Sequence, residues 1–188
     1  MITVIKLGGS LLSARVLPAC LAKLTGFPGK VFIVPGGGVF ADQIRVAQQQ
    51  WQFDDLTAHR MAILAMQQMA LLFKSLQPDF ELFEQVAAAG DCVKAAIWSP
   101  CLRDLEQPDI AASWDVTSDS LAAWLARQVA ADELLLVKSC PIEPETPLDQ
   151  LQQQGVIDAG FLKFADQAGF KITVINKDCF LSSHAQIH

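Results

Sequence analysis

Short apolar runs alternate with longer stretches of helical periodicity along the chain of 188 residues. The apolar runs show little polar alternation, which is typical of parallel strands that are covered on both faces. Five strands are predicted, at residues 2–7, 30–35, 93–100, 133–139 and 171–176. Helices are predicted at roughly residues 14–24, 40–50, 57–75, 82–89, 118–131, 148–154 and 161–168. We therefore expect one α/β domain, residues 1–188, built as a three-layer αβα sandwich around a mainly parallel central sheet.

The composition narrows the classes of function. Hydrophobic residues make up 52% of the chain and charged residues 18%, which fits a globular protein. The net charge of −6 argues against nucleic acid or an anionic membrane as a partner. The five cysteines are scattered and lack a C-x-x-C pair, so reduced thiols are expected rather than disulfides or zinc. No signal peptide is recognised, and the most apolar segment is shorter than the ~20 residues that span a bilayer, so we expect a cytoplasmic protein.

The segment KLGGS follows the first predicted strand and is the first candidate for ligand chemistry. In open parallel sheets, ligands bind beyond the carboxyl ends of the strands. The amides of Gly8, Gly9 and Ser10 can converge on an oxyanion, and Lys6 supplies a full positive charge nearby. A plain strand-to-helix turn explains the same residues equally well. The spacing is neither G-x-G-x-x-G nor a Walker pattern, which argues against a Rossmann oxidoreductase.

Three successive glycines, Gly36, Gly37 and Gly38, follow the second predicted strand. A simple turn needs one or two glycines, and ordering three is entropically unfavourable, so a loop in contact with a ligand is the favoured interpretation. Asp42 is expected in or near the first turn of the following helix. There it either complements the helix dipole or binds a cationic or hydroxyl group of a substrate.

A dense polar cluster, Thr117, Ser118, Asp119 and Ser120, precedes an apolar helix. Thr117 or Ser118 is a suitable N-cap, and capping alone can explain the cluster. Asp119 is also placed to hold a catalytic lysine through a charge-assisted hydrogen bond. His59 begins another apolar helix, where a lone histidine is more often structural than a ligand. No Ser–His–Asp or metal-binding spacing is visible, so a hydrolase lacks support.

Six segments in this order resemble the amino acid kinase superfamily: VIKLGGSLL, FIVPGGGVFAD, LTAHRMAILAM, SWDVTSDSLAAWLA, VIDAGF and ITVIN. Those enzymes transfer the γ-phosphoryl group of ATP to a carboxylate, a carbamate or a phosphate. Within the superfamily, PGGGxFA, the helix start at residues 57–59 and W-x-VTSDSL are similar to the kinases of methanofuran biosynthesis. That group phosphorylates an aminomethyl-furanyl methyl phosphate. The resemblance implies ATP with Mg²⁺, a small anionic acceptor, and a homodimer or higher homo-oligomer.

The resemblance also implies roles for individual residues. Lys6 is expected to hold the transferring phosphoryl group with the neighbouring glycine-loop amides, and Asp119 is expected to orient Lys6. The expected substrate-binding residues are Gly36, Gly37, Gly38, Asp42, His59, Thr117 and Ser118. Among them the three glycine amides would hold the acceptor phosphate, and Asp42 would bind an ammonium group. No resident metal site is expected, because Mg²⁺ is carried by ATP.

The segment after the fourth predicted strand departs from the family pattern. Family members usually carry a T-D-V-D-G-like loop at the nucleotide site, whereas this chain reads LVKSCPIEPE, without glycine and with Lys138. Lys138 is a candidate to neutralise nucleotide phosphates, and the nucleotide-binding half, about residues 132–188, is expected to be reduced. The chain lacks G-G-M-x-x-K, so the role of a second catalytic lysine is not transferred to Lys163. A non-catalytic ligand-binding or regulatory member of the fold is the alternative to a kinase.

Overall fold

The computed structural model describes residues 1–166 and 168–183. In these ranges six strands form one sheet: β1 Ile2–Leu7, β2 Lys30–Pro35, β3 Glu81–Phe83, β4 Ala95–Trp98, β5 Glu133–Lys138 and β6 Lys171–Asn176. The strand order is β3-β4-β2-β1-β5-β6, and every neighbouring pair is parallel. The prediction of a parallel sheet between helical layers is confirmed.

Nine α-helices accompany the sheet in the part of the chain that the structure describes. They are α1 Ser10–Ser13, α2 Leu17–Leu24, α3 Gly38–Trp51, α4 Asp55–Leu76, α5 Leu102–Leu105, α6 Ser118–Gln128, α7 Leu148–Gln153, α8 Phe161–Ala165 and α9 Lys177–Ser182. A short 3-10 helix spans Val86–Asp91. None of the described helices is long and apolar enough to cross a membrane.

Alternate residues of each central strand enter two separate hydrophobic cores. In β1, Val4 packs into the core that also contains Leu121 of α6, whereas Ile5 and Leu7 pack into the core that contains Leu21 of α2. Side chains of a strand point alternately to its two faces, so a strand covered on both sides is apolar throughout. This burial explains why the central strands read as continuous apolar runs.

One prediction about the elements is wrong. Residues 82–89 are not an α-helix, because Glu81–Phe83 form the edge strand β3 and a 3-10 helix follows. Only Phe83 of that strand is buried, and a strand of three residues gives no periodicity that could distinguish it from a helix. The third predicted strand is shorter than expected, spanning Ala95–Trp98.

The carboxyl ends of β1, β2 and β5 lie side by side, because these strands are neighbours in the sheet and run parallel. The two glycine loops follow β1 and β2, and Lys138 is the last residue of β5. The segments that the sequence identified as candidates for chemistry therefore meet at the end of the sheet where the strands have their carboxyl ends.

Candidate functional site

Two buried lysines share one buried aspartate at the carboxyl ends of β1 and β5. The Lys6 ammonium lies 2.9 Å from Asp119 Oδ1, and the Lys138 ammonium donates a hydrogen bond of 2.6 Å to Asp119 Oδ2. The exposed fractions of the three residues are 7%, 4% and 8% for Lys6, Asp119 and Lys138. We call these residues the lysine–aspartate cluster. Its formal charge is +1, which suits an anionic ligand.

The strand geometry explains why the cluster forms. Lys6 lies two residues after Val4, and Lys138 two residues after Leu136, so both lysines point to the face of the sheet that α6 covers. Asp119 is in the first turn of α6 and meets both ammonium groups. The predicted contact between Asp119 and Lys6 is therefore present, and Lys138 joins it rather than lying apart at a separate site.

Burial and charge shift the titration of the cluster. Burial, reinforced by the charge of Lys6, lowers the pKa of Lys138 from 10.5 to about 8, against the opposite influence of Asp119 and Asp158. Burial alone would raise the pKa of Asp119, but the two lysines outweigh it and hold this pKa below its ordinary value. Asp119 is therefore ionised near neutral pH, and Lys138 loses its proton at a lower pH than an exposed lysine does.

The two glycine loops are in direct contact. A Cβ atom on Gly9 would lie 2.1 Å from Gly38 Cα, so no larger residue fits at this position. Gly38 has φ of +55°, a conformation that favours glycine. The Gly36 amide donates to Leu7 O at 2.9 Å. The expectation that all three amides are available to an acceptor phosphate is therefore wrong for Gly36, because its N–H is already bonded.

A cleft of about 680 Å³ opens in front of these loops. Its walls include most of the predicted binding residues: Gly9, Ser10, Gly36, Gly37, Gly38, Asp42, His59, Thr117 and Ser118. Lys6, Gly8, Asp119 and Lys138 do not line it. They adjoin it: Gly9, Ser118 and Ser139, which are neighbours of Gly8, Asp119 and Lys138 in the chain, are wall residues, and Lys6 contacts Asp119.

His59 differs from an ordinary structural histidine. It is buried, lines the cleft from α4, and its Nε2 atom has no hydrogen-bond partner in the described structure. Burial lowers the pKa of His59 below its ordinary value, although Glu106 opposes the shift. A neutral imidazole with an unpaired ring nitrogen is suited to hydrogen bonding with a ligand in the cleft.

A second wall of the cleft was missed by the sequence reasoning. The Arg45 guanidinium stacks 3.7 Å from the centre of the Trp114 ring, and the Trp114 indole N–H donates to Gln48 Oε1 at 2.6 Å. Gln48 in turn donates to Asp55 Oδ1 at 2.8 Å. These residues come from α3, α4 and the loop before α6, so no local motif could have grouped them.

Asp42 lines the cleft from beyond the first turn of α3. The helix begins at Gly38, two residues before the predicted start, and its first turn contains no acidic residue. The interpretation that Asp42 complements the helix dipole therefore loses its basis, since that effect is confined to the first turn. The side chain is exposed at the cleft and available to a ligand.

The N-terminus of α6 is capped by a distant residue. The N-cap residue is Thr117, as the sequence allowed, but its side chain makes no cap hydrogen bond. Instead, Asp158 accepts from the Thr117 amide at 2.9 Å and from the Ser120 amide at 3.0 Å. No signal near residue 117 points to Asp158, because about 40 positions separate the two segments.

Lys163 is not among the residues that line the cleft, and its ammonium group donates to Asp109 O at 2.8 Å. At the other side of the cleft, Lys177 joins Ser139 in the wall. The loop after β5 is tied to the end of β6 by a hydrogen bond of 2.7 Å from Asn176 Nδ2 to Cys140 O.

Comparison with known proteins identifies the family. The model of the amino acid kinase family matches residues 1–141, which is most of the chain. The chain belongs to the amino acid kinase family. The match includes both glycine loops and all three residues of the lysine–aspartate cluster.

Individual proteins are similar to the chain in sequence or in fold. The chain is 28% identical over 142 residues to the [5-(aminomethyl)furan-3-yl]methyl phosphate kinase of Methanocaldococcus jannaschii, and the match covers 71% of this chain and 63% of that protein. The chain thus spans less than two thirds of the length of this relative. Among solved structures, the uridylate kinase of Archaeoglobus fulgidus superposes with a TM-score of 0.71 at 19% identity, covering 94% of this chain and 91% of that one. The UMP kinase of Bacillus anthracis superposes with a TM-score of 0.64 at 16% identity, covering 94% and 87%.

Proposed function

We propose that the protein is a kinase that transfers the γ-phosphoryl group of Mg-ATP to a small acceptor bearing a phosphate or a carboxylate. The observation that carries the proposal is the lysine–aspartate cluster, which places a buried net positive charge directly behind two glycine loops. Phosphoryl transfer needs in-line positioning and stabilisation of charge on the equatorial oxygens more than it needs covalent chemistry. Membership of the amino acid kinase family supports the same reaction class.

In the proposed reaction, an acceptor oxygen forms a new bond to the γ-phosphorus while the bond to the bridging oxygen of ADP breaks. Lys6 and the amides of Gly8, Gly9 and Ser10 hold the transferring group. Asp119 keeps the Lys6 ammonium in place. A buried cation stabilises the developing negative charge more strongly than a solvated one, because water does not screen it.

Lys138 is assigned to the phosphates of the nucleotide. Its ammonium group already faces Lys6 across Asp119, so the approach of a negatively charged ligand would relieve the repulsion between the two lysines. The segment after β5 supplies this charge where the family pattern has a glycine-containing loop. We further propose that the segment after β5 lies on the nucleotide side of the site.

The acceptor is proposed to be a phosphomonoester with an amino group, in the synthesis of a one-carbon carrier of the methanofuran type. The relative from Methanocaldococcus jannaschii is named for such a phosphate, which supports this choice. The amides of Gly37 and Gly38 would hold the acceptor phosphate, and the exposed Asp42 carboxylate would bind the ammonium group. His59, Thr117 and Ser118 complete the proposed acceptor side; Gly36 contributes shape rather than its amide.

Magnesium enters this proposal as part of the substrate Mg-ATP. Among the described residues, no group of three or more His, Cys, Asp or Glu side chains is arranged to hold a metal ion. The chain's own contribution is the pair of lysines, which would share the neutralisation of the phosphates with the ion that the nucleotide carries.

We also propose that the protein is at least a homodimer. Leu64 and Leu71 lie two turns apart on the same side of α4 and are 47% and 60% exposed, while the opposite side of the helix is buried. Exposed large apolar residues on one helix face are typical of a subunit contact. A second copy of the chain is the proposed partner, with no nucleic acid or membrane involved.

The direct test incubates the protein with Mg-ATP and a panel of phosphomonoesters, carboxylates and carbamate while ADP release is followed. Substrate-dependent ADP release with one class of acceptor would support the kinase and identify that class. Calorimetry with Mg-ATP tests the alternative of a non-catalytic ligand-binding or regulatory member of the fold, which absence of nucleotide binding would favour. Absence of nucleotide binding at millimolar concentration would refute the proposed reaction.

The variant Lys6→Ala tests the assigned phosphoryl contact. Loss of a group that stabilises developing charge lowers the turnover number by about a hundredfold or more. Lys94→Ala is the matched control, because Lys94 is an exposed lysine immediately before β4, far along the chain from the loops. Turnover by Lys6→Ala close to that of the control would show that Lys6 does not hold the phosphoryl group.

A further inference from the structure

Asp158 is a charged residue that neither the cleft nor the proposed phosphoryl contacts account for. It lies in the loop before α8, between Ile157 and Phe161, whose side chains are anchored in the core on the α6 side of the sheet. Those two anchors are 2% and 0% exposed, so the loop is held firmly. A short loop fixed at both sides presents the Asp158 carboxylate to the start of α6 in a defined orientation.

The Asp158 carboxylate is the main hydrogen-bond acceptor for the first turn of α6. Its Oδ2 atom accepts from the Thr117 amide at 2.9 Å, the Thr117 hydroxyl at 2.8 Å and the Ser120 amide at 3.0 Å. Its Oδ1 atom accepts from the Ser120 hydroxyl. Four bonds to one carboxylate replace the cap that a side chain within the helix would normally supply. The bonds straddle Asp119 in the chain, because Thr117 and Ser120 lie on either side of it.

A second contact joins the same two segments. The Gly160 amide donates to Asp115 O at 2.6 Å, so the loop is hydrogen-bonded to the chain both before and after the start of α6. The charge of Asp158 also reaches the lysine–aspartate cluster, where it favours the protonated form of Lys138. Asp158 is therefore linked to the cluster both mechanically and electrostatically.

We propose that Asp158 is a positioning residue: by capping α6 it sets the place of the Asp119 carboxylate between Lys6 and Lys138. This inference rests on the proposed function for its catalytic consequence, but its structural part does not. If the cap is lost, the first turn of α6 frays and Asp119 moves relative to the two ammonium groups. A displacement of about 1 Å in such a group is enough to lower turnover severely.

The same residue also influences the pKa of Lys138. The charged groups that influence Lys138 are Lys6 on β1, Asp119 on α6 and Asp158 in the loop before α8. Removing the negative charge of Asp158 while leaving the other two in place makes protonation of Lys138 less favourable. The pH at which Lys138 loses its proton therefore moves downward when Asp158 is neutralised.

Three variants test the inference. Asp158→Asn removes the charge and replaces one carboxylate oxygen by an NH₂ group, which cannot accept from the donors of Thr117 and Ser120. Ser120→Ala removes one cap bond and keeps the charge. Asp149→Asn, an exposed acid in the first turn of α7, is the matched control for loss of one carboxylate near a helix start.

The first measurement is independent of kinase activity. In protein labelled with ¹³C-lysine, the Lys138 ¹³Cε shift is followed against pH, with Lys138→Met identifying the signal. We expect the midpoint to move to lower pH in Asp158→Asn, to move by less in Ser120→Ala, where Asp119 is displaced but the charge of Asp158 remains, and to keep its wild-type value in Asp149→Asn. An unchanged midpoint in folded Asp158→Asn overturns the electrostatic link whether or not the wild type proves to be a kinase.

The second measurement is the steady-state rate with Mg-ATP and the acceptor that the panel identifies. We expect kcat to fall about tenfold or more in Asp158→Asn and several-fold in Ser120→Ala, with KM for Mg-ATP little changed. Wild-type kcat in both variants overturns the positioning role while leaving the proposed function intact. If Asp158→Asn does not fold, the kcat of Ser120→Ala is compared with that of Asp149→Asn. Equal kcat values would contradict the inference.

Discussion

Replacing Lys138 by methionine is expected to make the protein more stable and less active. Methionine has a similar length, carries no charge and is well suited to a buried site. Lys138 is 8% exposed, and its ammonium group faces that of Lys6 with one shared carboxylate between them. After the replacement, Lys6 and Asp119 remain as a neutral pair, so the surplus positive charge leaves the interior.

The size of the effect follows from the titration of Lys138. Its pKa falls from 10.5 to about 8 on folding, and each pKa unit corresponds to 1.36 kcal/mol, so the protonated lysine destabilises the fold by roughly 3 kcal/mol. This penalty already includes the attraction of Asp119. It is fully present below pH 8, where the lysine is charged in both states. It disappears as the pH rises from about 8 to 10.5, because the folded protein loses the proton first.

The measurement is urea unfolding of wild type and Lys138→Met at pH 7 and at pH 9.5, with Lys94→Met as the control for an exposed lysine. We expect a gain of roughly 2 to 3 kcal/mol at pH 7 that narrows at pH 9.5, and no pH-dependent gain in the control. A stability equal to wild type at pH 7, or a gain that grows with pH, would refute the reasoning. The kinase assay of the same variant should show reduced turnover, as expected where function requires a strained site.

Three further outcomes are expected. Gly9→Ala should lower the free energy of unfolding by about 3 kcal/mol in denaturant titrations, because its Cβ would collide with Gly38; a wild-type midpoint would contradict the close packing of the loops. Asp119→Asn should destabilise the protein by about 3 to 5 kcal/mol at pH 7 in the same assay, since two buried lysines lose their counter-charge. An unaltered stability of Asp119→Asn would show that water solvates the ammonium groups of the two lysines. Light scattering at micromolar concentration should give at least twice the monomer mass, and Leu71→Glu should reduce it; a monomeric wild type would rule out the proposed dimer.

Local patterns were sufficient for most of the sheet. The central strands are apolar on both faces, and each is followed by its characteristic polar or glycine-rich segment, so β1, β2, β5 and β6 could be located closely. The edge strand β3 was missed because a single buried residue, Phe83, leaves no periodic signal. Short helices such as Leu102–Leu105 lack enough turns to show a pattern.

The site was only partly predictable, for a different reason. Lys6 and Asp119 could be paired because a family resemblance supplied the pairing. That Lys138 reaches the same carboxylate depends on the strand order, which places β5 beside β1, and no local feature of the sequence states this order. The Asp158 cap depends on the path of the loop before α8 and connects segments 38 to 41 residues apart.

The position of β1 in the sheet also bears on how the chain folds. β1 pairs with β2 on one side, but its partner on the other side, β5, lies far along the chain: the Ile2 amide bonds to an Asp132 oxygen 130 residues away. Contacts between residues so far apart in the chain form slowly, because the intervening chain must be brought together before any contact stabilises this arrangement. Until β5 pairs with it, β1 is an open edge that carries the charged Lys6 next to its last residue, Leu7. Charged side chains on an open edge disfavour pairing with a strand of another chain, so we expect the charge of Lys6 to limit aggregation during synthesis as well.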